Sequence, residues 1–206
     1  MKNTITIALL LIIISCKAQT PVLQVSQVFD ISQDTGTENP NGAYYKDTQN
    51  LLAPFVGTYQ YINGNTSLTI VLQKKTMSLI NGRYYEDLIV GEYQYTENGV
   101  EKLNTLNNLN TVYTNGWKYN INGNFIITGQ SLGCDDCGLT ENRLNISLAD
   151  DTINRVADLD IRRITANGQP AIKINLWWTS SGISQEGDPA PTTPNIPNGE
   201  YVLLKQ

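Results

Sequence analysis

The chain has 206 residues, of which 16% are charged, and 14 basic against 19 acidic side chains leave a formal net charge of -5. It contains no histidine, which excludes Ser-His-Asp and Cys-His nucleophile systems, histidine-held zinc, copper or haem, and a histidine base near neutral pH. The length suits one domain with its own core, and with no basic run longer than Lys74-Lys75 or Arg162-Arg163 nothing in it would neutralise nucleic-acid phosphates or anionic lipid head groups.

The first residues read as an address. Met1-Lys2-Asn3 makes a short positive start, and in the ten residues from Ile5 to Ile14 only Thr6 and Ala8 are not Leu or Ile. That run is too short to cross about 30 Å of hydrocarbon as a helix, so residues 1–15 read as a signal peptide and not as a membrane span. Its close, Ile13-Ile14-Ser15-Cys16, resembles a bacterial lipobox. In such signals the cysteine thiol receives diacylglycerol, the chain is cut before it, and the new amino terminus is acylated. The resemblance implies that Cys16 is a lipid anchor to the membrane, and several acyl chains on one residue hold durably where one would be marginal. Lys17 follows where inner-membrane retention signals carry aspartate, which implies an outer-membrane lipoprotein facing the periplasm or the cell surface. The alternative is ordinary secretory cleavage after Ala18, giving a secreted or periplasmic protein.

Residues 16–46 hold Pro21, Gly36, Pro40 and Gly42 among many Ser, Thr, Gln and Asn. They read as a tether, with the apolar stretch Val22 to Ile31 able to add an edge strand. A single β domain is expected over residues 47–206. Asp47 to Ala53 predicts one or two helical turns, capped by Asp47 and stopped by Pro54. Beyond Phe55 the pattern is of strands. In Ser67 to Lys74, Leu68, Ile70 and Leu72 alternate with Thr69, Val71 and Gln73, the period of a half-buried strand.

Eight of the 16 glycines directly follow an asparagine, the preferred pair for a tight hairpin turn because both central positions need positive φ. Hairpins are therefore predicted at Asn63-Gly64, joining Gly57–Ile62 to Ser67–Lys74, and at Glu97-Asn98-Gly99, joining Leu88–Thr96 to Val100–Leu106. Two more are predicted at Asn122-Gly123, joining Trp117–Ile121 to Phe125–Gly129, and at Asn167-Gly168, joining Val156–Thr165 to Ala171–Thr179. Asn142–Ala149 and Glu200–Lys205 supply two further strands. Leu103, Leu106 and Leu109 recur among asparagines, which are poor in helix interiors, so that segment reads as a loop with a packed edge. Residues 181–198, with four prolines, form a long polar connection of the kind that is either functional or disordered.

An internal echo runs through Tyr59 and Tyr61, Tyr93 and Tyr95, and Trp117 and Tyr119. Aromatics two apart share one face of a strand, so these rings either stabilise cross-strand pairs or, at Tyr59, Tyr93 and Trp117, make surfaces on which a ligand stacks. Trp177 and Trp178 are adjacent and should face opposite sides of a strand, the outward one being free to stack on sugar or lipid.

Chemistry-bearing motifs are few. Cys134-Asp135-Asp136-Cys137, between glycines, reads in an oxidising compartment as a local disulfide. Redox use is disfavoured by two aspartates between the thiols and no helix following, and a metal site would need two more good ligands. Asp150-Asp151 and Asp158/Asp160 could contribute to a calcium site but lack EF-hand spacing. No metal or cofactor is expected. A carboxylate pair for hydrolysis is set by spacing in space and not in sequence, so no catalytic residue is nominated.

These elements predict an all-β antiparallel meander of about eight to ten strands that closes into a barrel, with a two-layer β-sandwich as the alternative. A short helical turn followed by Phe55-Val56-Gly57-Thr58-Tyr59 resembles the start of lipocalin-like barrels, with Tyr59 where that family has tryptophan. Ser15-Cys16-Lys17-Ala18-Gln19, Asn41-Gly42-Ala43-Tyr44-Tyr45-Lys46-Asp47 and Phe55 through Leu72 resemble a group of short lipoproteins of flavobacteria and relatives, a domain-of-unknown-function family, and the resemblance implies no activity. The expected function is that of a lipid-anchored cell-envelope protein. It would act without catalysis, as a binding or structural module for a small apolar ligand, a glycan or an envelope partner. The alternative is a carboxylate-dependent envelope hydrolase, which requires two acids facing one cleft.

Overall fold

A computed structural model describes residues 21–26, 39–131, 134–179 and 193–206. The expected signal peptide, Cys16 and most of the 181–198 connection lie outside the described residues. Eleven strands are present among the described residues: β1 (Val22–Gln24), β2 (Tyr44–Lys46), β3 (Gly57–Asn63), β4 (Thr66–Ile80), β5 (Tyr84–Glu97), β6 (Val100–Asn104), β7 (Ile121–Thr128), β8 (Asn142–Asp150), β9 (Arg155–Ala166), β10 (Gln169–Trp178) and β11 (Gly199–Lys205). Eight of them close a ring in the order β5-β4-β3-β11-β10-β9-β8-β7, with β7 returning to β5, and every pair in the ring is antiparallel. The molecule is therefore a closed eight-stranded barrel of lipocalin-like description with extra strands, and closure removes the edges that a sandwich would leave.

Strand β5 makes closure possible. One of its sides bonds β4 along its length, while the other serves three partners in turn: β2 at Tyr85 and Glu86, β7 at Ile89 to Gly91, and β6 at Gln94 to Glu97. At Gly91 the backbone passes so close to β4 that a Cβ would lie 2.4 Å from the Val71 carbonyl oxygen. Only glycine permits that approach.

Alternation puts Leu68, Ile70 and Leu72 of β4, Tyr93 and Tyr95 of β5, Leu144, Ile146 and Leu148 of β8, and Ile172, Ile174 and Leu176 of β10 into one buried cluster. Leu52 and Phe55, from the turn before β3, and Ile196 and Trp178, before β11 and at the end of β10, join it. Side chains thus fill the barrel, as expected for eight strands.

The turns follow the sequence where the dipeptide is free to act locally. Asn98-Gly99 (φ 52 and 78) and Asn167-Gly168 (φ 52 and 78) join β5 to β6 and β9 to β10 with both positions left-handed. The β3–β4 turn falls one residue later than expected, on Gly64-Asn65, with positive φ at Gly64 alone. Asn81-Gly82, outside the four predicted hairpins, begins the turn from β4 to β5.

The hairpin expected at Asn122-Gly123 is corrected by the structure. Trp117 lies in a 3-10 turn, Gly116–Lys118, and β7 runs unbroken through the dipeptide. Pairing with β8 jumps from Asn122/Ser147 to Phe125/Asn145, a bulge. A Cβ on Gly123 (φ +146) would sit 2.9 Å from Ile146 Cγ2, so glycine serves the bulge here and not a turn.

The tether expected over residues 16–46 is in part strand. β1, within its apolar stretch, pairs in parallel with β2, and β2 pairs in parallel with β5, while Val25, Ala43 and Tyr45 are buried. Asp47 caps the turn after β2, accepting from the Leu51 and Leu52 amides (2.7 and 3.0 Å) and from Lys74 Nζ (2.7 Å). Pro54 lies within the 3-10 turn Ala53–Phe55 and does not terminate a helix. Leu106–Asn110 is a further 3-10 turn.

Candidate functional site

The outward face of β5 carries Glu86, Leu88, Val90 and Glu92, and residues 105–120 are strapped across it. Tyr119 packs on Leu88 and Val90, and Tyr113 meets Tyr119 edge to face at 4.9 Å. Gly116 donates its amide to Ser78 Oγ (2.7 Å), and a Cβ there would be 3.1 Å from both Leu88 and Val90 side-chain atoms, so the strap lies tight on the strand. Asn115 caps the next turn by accepting from the Trp117 amide. The consequence is that the Trp117 indole reaches Glu86, with Nε1 donating to Oε1 at 2.7 Å.

The β7 bulge supplies the other half of the site. It turns Asn124 toward β5, where its Nδ2 donates to Glu86 Oε2 and to the Asp87 carbonyl, each at 3.0 Å. Around these groups opens a cleft of about 370 Å³, walled by Tyr84, Trp117 and Phe125 and edged by Asn122, Asn145 and Ser147. Glu86 is 1% exposed. Burial pushes its carboxyl pKa up, against the two hydrogen bonds from Trp117 and Asn124. Burial and then the Glu86 charge also raise the Tyr84 and Tyr45 phenols. Among the described residues Glu86 is the only acid lining this cleft.

The residues nominated from sequence are distributed as follows. Trp117 is half exposed at the cleft mouth. Tyr59 and Tyr93 are 2% and 0% exposed, with their hydroxyls donating to the Phe55 and Ala149 carbonyls at 3.0 Å. They are corrected from stacking surfaces to barrel core, because alternation points both rings inward. Trp177 is exposed and Trp178 buried, its indole donating to the Ile196 carbonyl (2.7 Å). Both border a separate pocket of about 550 Å³ with Arg155, Pro194 and Pro197.

Cys134 and Cys137 lie at disulfide distance, with Cα atoms 5.4 Å apart. Their loop is pinned to β9 by Arg162, which pairs with Asp136 and Glu141 and holds both carboxyls below their usual range. The acids considered for calcium do not share one set of partners. Asp150 accepts from Thr152 and Asn195, and Asp160 pairs with Arg143.

Sequence reasoning does not reach Glu86, Asn124 or Tyr84. The available signal is Glu86-Asp87 inside Tyr84-Tyr85-Glu86-Asp87-Leu88-Ile89-Val90, two acids in an otherwise aromatic and aliphatic strand. Buried acids need hydrogen-bond partners, but those of Glu86 lie 31 and 38 residues away.

The fold and its geometry define a small closed β-barrel with an aromatic, carboxylate-bearing cleft on its outer wall. The chain belongs to the family described as "Family of unknown function (DUF6705)", whose model matches residues 1–206. No curated protein and no solved structure matches it.

Proposed function

We propose that this is a lipid-anchored envelope protein whose barrel is a scaffold for a binding cleft centred on Trp117 and Glu86, taking a small ligand or a glycan. The cleft itself carries the reading. Trp117 and Tyr84 offer flat apolar faces of the kind that stack on a ring, and the asparagine amides give donors and acceptors that fix orientation. Carriage of an apolar ligand inside the barrel is disfavoured, because that space is filled by the core cluster. The hydrolase alternative is disfavoured by the single acid: glycoside hydrolysis uses a second carboxyl roughly 5–9.5 Å from the first, and among the described residues the lining has Glu86 alone.

The anchor rests on the lipobox-like Ile13-Ile14-Ser15-Cys16, and with it the outer-membrane location. Radiolabelled palmitate should enter the chain in cells and be lost in Cys16→Ala; labelling that persists in that variant contradicts the anchor. For the cleft, saturation-transfer NMR with the N-acetylglucosamine trisaccharide should show binding that Trp117→Ala abolishes. Undiminished binding in Trp117→Ala places the ligand elsewhere.

A further inference from the structure

Glu86 is a buried carboxylate whose neighbours suit its ionised form and leave it without a counter-charge. Both of its oxygens accept: Trp117 Nε1 can only donate, and Asn124 Nδ2 is fixed as the donor end because it also faces the Asp87 carbonyl. Among the described residues no Lys or Arg forms an ion pair with it. The contrast with Asp47 is direct. Asp47 has Lys74 and two backbone amides on its carboxylate, whereas Glu86 has two neutral side-chain donors, and an uncompensated charge in such a place is costly.

A second buried acceptor, on a residue that lines the same cleft, is also unmatched. Asn122 donates its Nδ2 to the Tyr119 carbonyl (2.8 Å) and leaves its buried Oδ1 without a hydrogen-bond partner. The same cleft carries the rings of Trp117 and Tyr84, and a cation gains from the face of such rings as well as from a carboxylate.

On the reading of this cleft as the binding site, we infer that its ligand carries a protonated amine, set between the aromatic walls and against Glu86. The shared chemistry is an ammonium group on a ring, and the ring is either a sugar or an apolar one.

Two matched pairs of probes test it at pH 7 by calorimetry: the glucosamine trisaccharide against its N-acetylated form, and cyclohexylamine against cyclohexanol. In at least one pair the amine should bind about tenfold more tightly than its neutral partner, and which pair responds tells sugar from apolar ring. Glu86→Gln should reduce the preference to less than about threefold. Near-ultraviolet circular dichroism checks that this variant is folded. Tyr84→Leu, which keeps the carboxylate and removes a wall, should weaken amine binding as a second variant. Neutral partners binding as tightly as the amines, or a preference that survives in folded Glu86→Gln, overturns the inference and leaves the cleft as a site. Binding by no member of either pair overturns both.

Discussion

At the scale of single residues, the outer face of β5 buries acids that are poorly matched. Glu92 is fully buried beneath the strap. The Asn120 amide donates to its Oε1 at 3.2 Å, and its Oε2 has no hydrogen-bond partner. Burial raises its pKa, opposed by the Thr105 side chain and the Asn120 amide. An acid whose pKa is raised on folding binds its proton more tightly in the folded chain, so its contribution to stability is full below the ordinary carboxylate pKa and is lost as pH rises through the folded one. Asp47 has the opposite sign. Burial pushes it up, but Lys74 and the Leu51 and Leu52 amides outweigh that and leave it below the usual range, so its stabilisation is present above the ordinary carboxylate pKa and is lost on acidification. Glu92→Gln removes the buried charge, keeps one oxygen to accept from the Asn120 amide and replaces the unpartnered oxygen with an amide nitrogen. It should stabilise the protein by about 1 kcal/mol at pH 8, with the gain shrinking toward the acid side of the carboxylate range. Urea unfolding at pH 8 and pH 4 measures this, and a loss of stability at pH 8 would contradict the mismatch.

At the scale of elements, glycines and asparagine-glycine pairs decide where strands turn, bulge and approach one another. A Cβ placed on Gly168 (φ +78) would meet nothing within 4 Å, whereas one on Gly91 would meet backbone at 2.4 Å. Gly168→Ala should therefore cost about 1 kcal/mol for its left-handed backbone. Gly91→Ala should cost more, roughly 3 kcal/mol, because β4 must shift to admit it. Chemical denaturation of the two variants checks the order, and equal losses would mean that the β4–β5 approach is not constrained. The same elements show what is legible in the sequence. Asn98-Gly99 and Asn167-Gly168 act locally and read directly as turns. Asn122-Gly123 is the same dipeptide, but Ile121 pairs with both β5 and β8, and that long-range pairing makes it part of a strand. The parallel pairing of β1 and β2 likewise depends on contacts distant in sequence. Trp117 is legible as an aromatic, but its partner Glu86 is not, because the strap and bulge that complete the site come from other elements.

At the scale of the whole molecule, the Glu86 cleft lies outside the barrel that the core side chains fill. Core side chains occupy the interior, while the Glu86 cleft sits on the wall where β5 and β7 close the ring. On the function proposed above, ligand is held on this outer wall and not within the barrel. The chain has three tryptophans, and two of their indole N–H groups report the two places: Trp117 donates to Glu86 in the cleft and Trp178 to the Ile196 carbonyl in the core. The most direct measurement is a nitrogen-15 NMR titration of the indole resonances with the glucosamine and N-acetylglucosamine trisaccharides. The Trp117 resonance should move and the Trp178 resonance should stay. Movement of Trp178 with Trp117 unmoved would contradict binding on the outer wall.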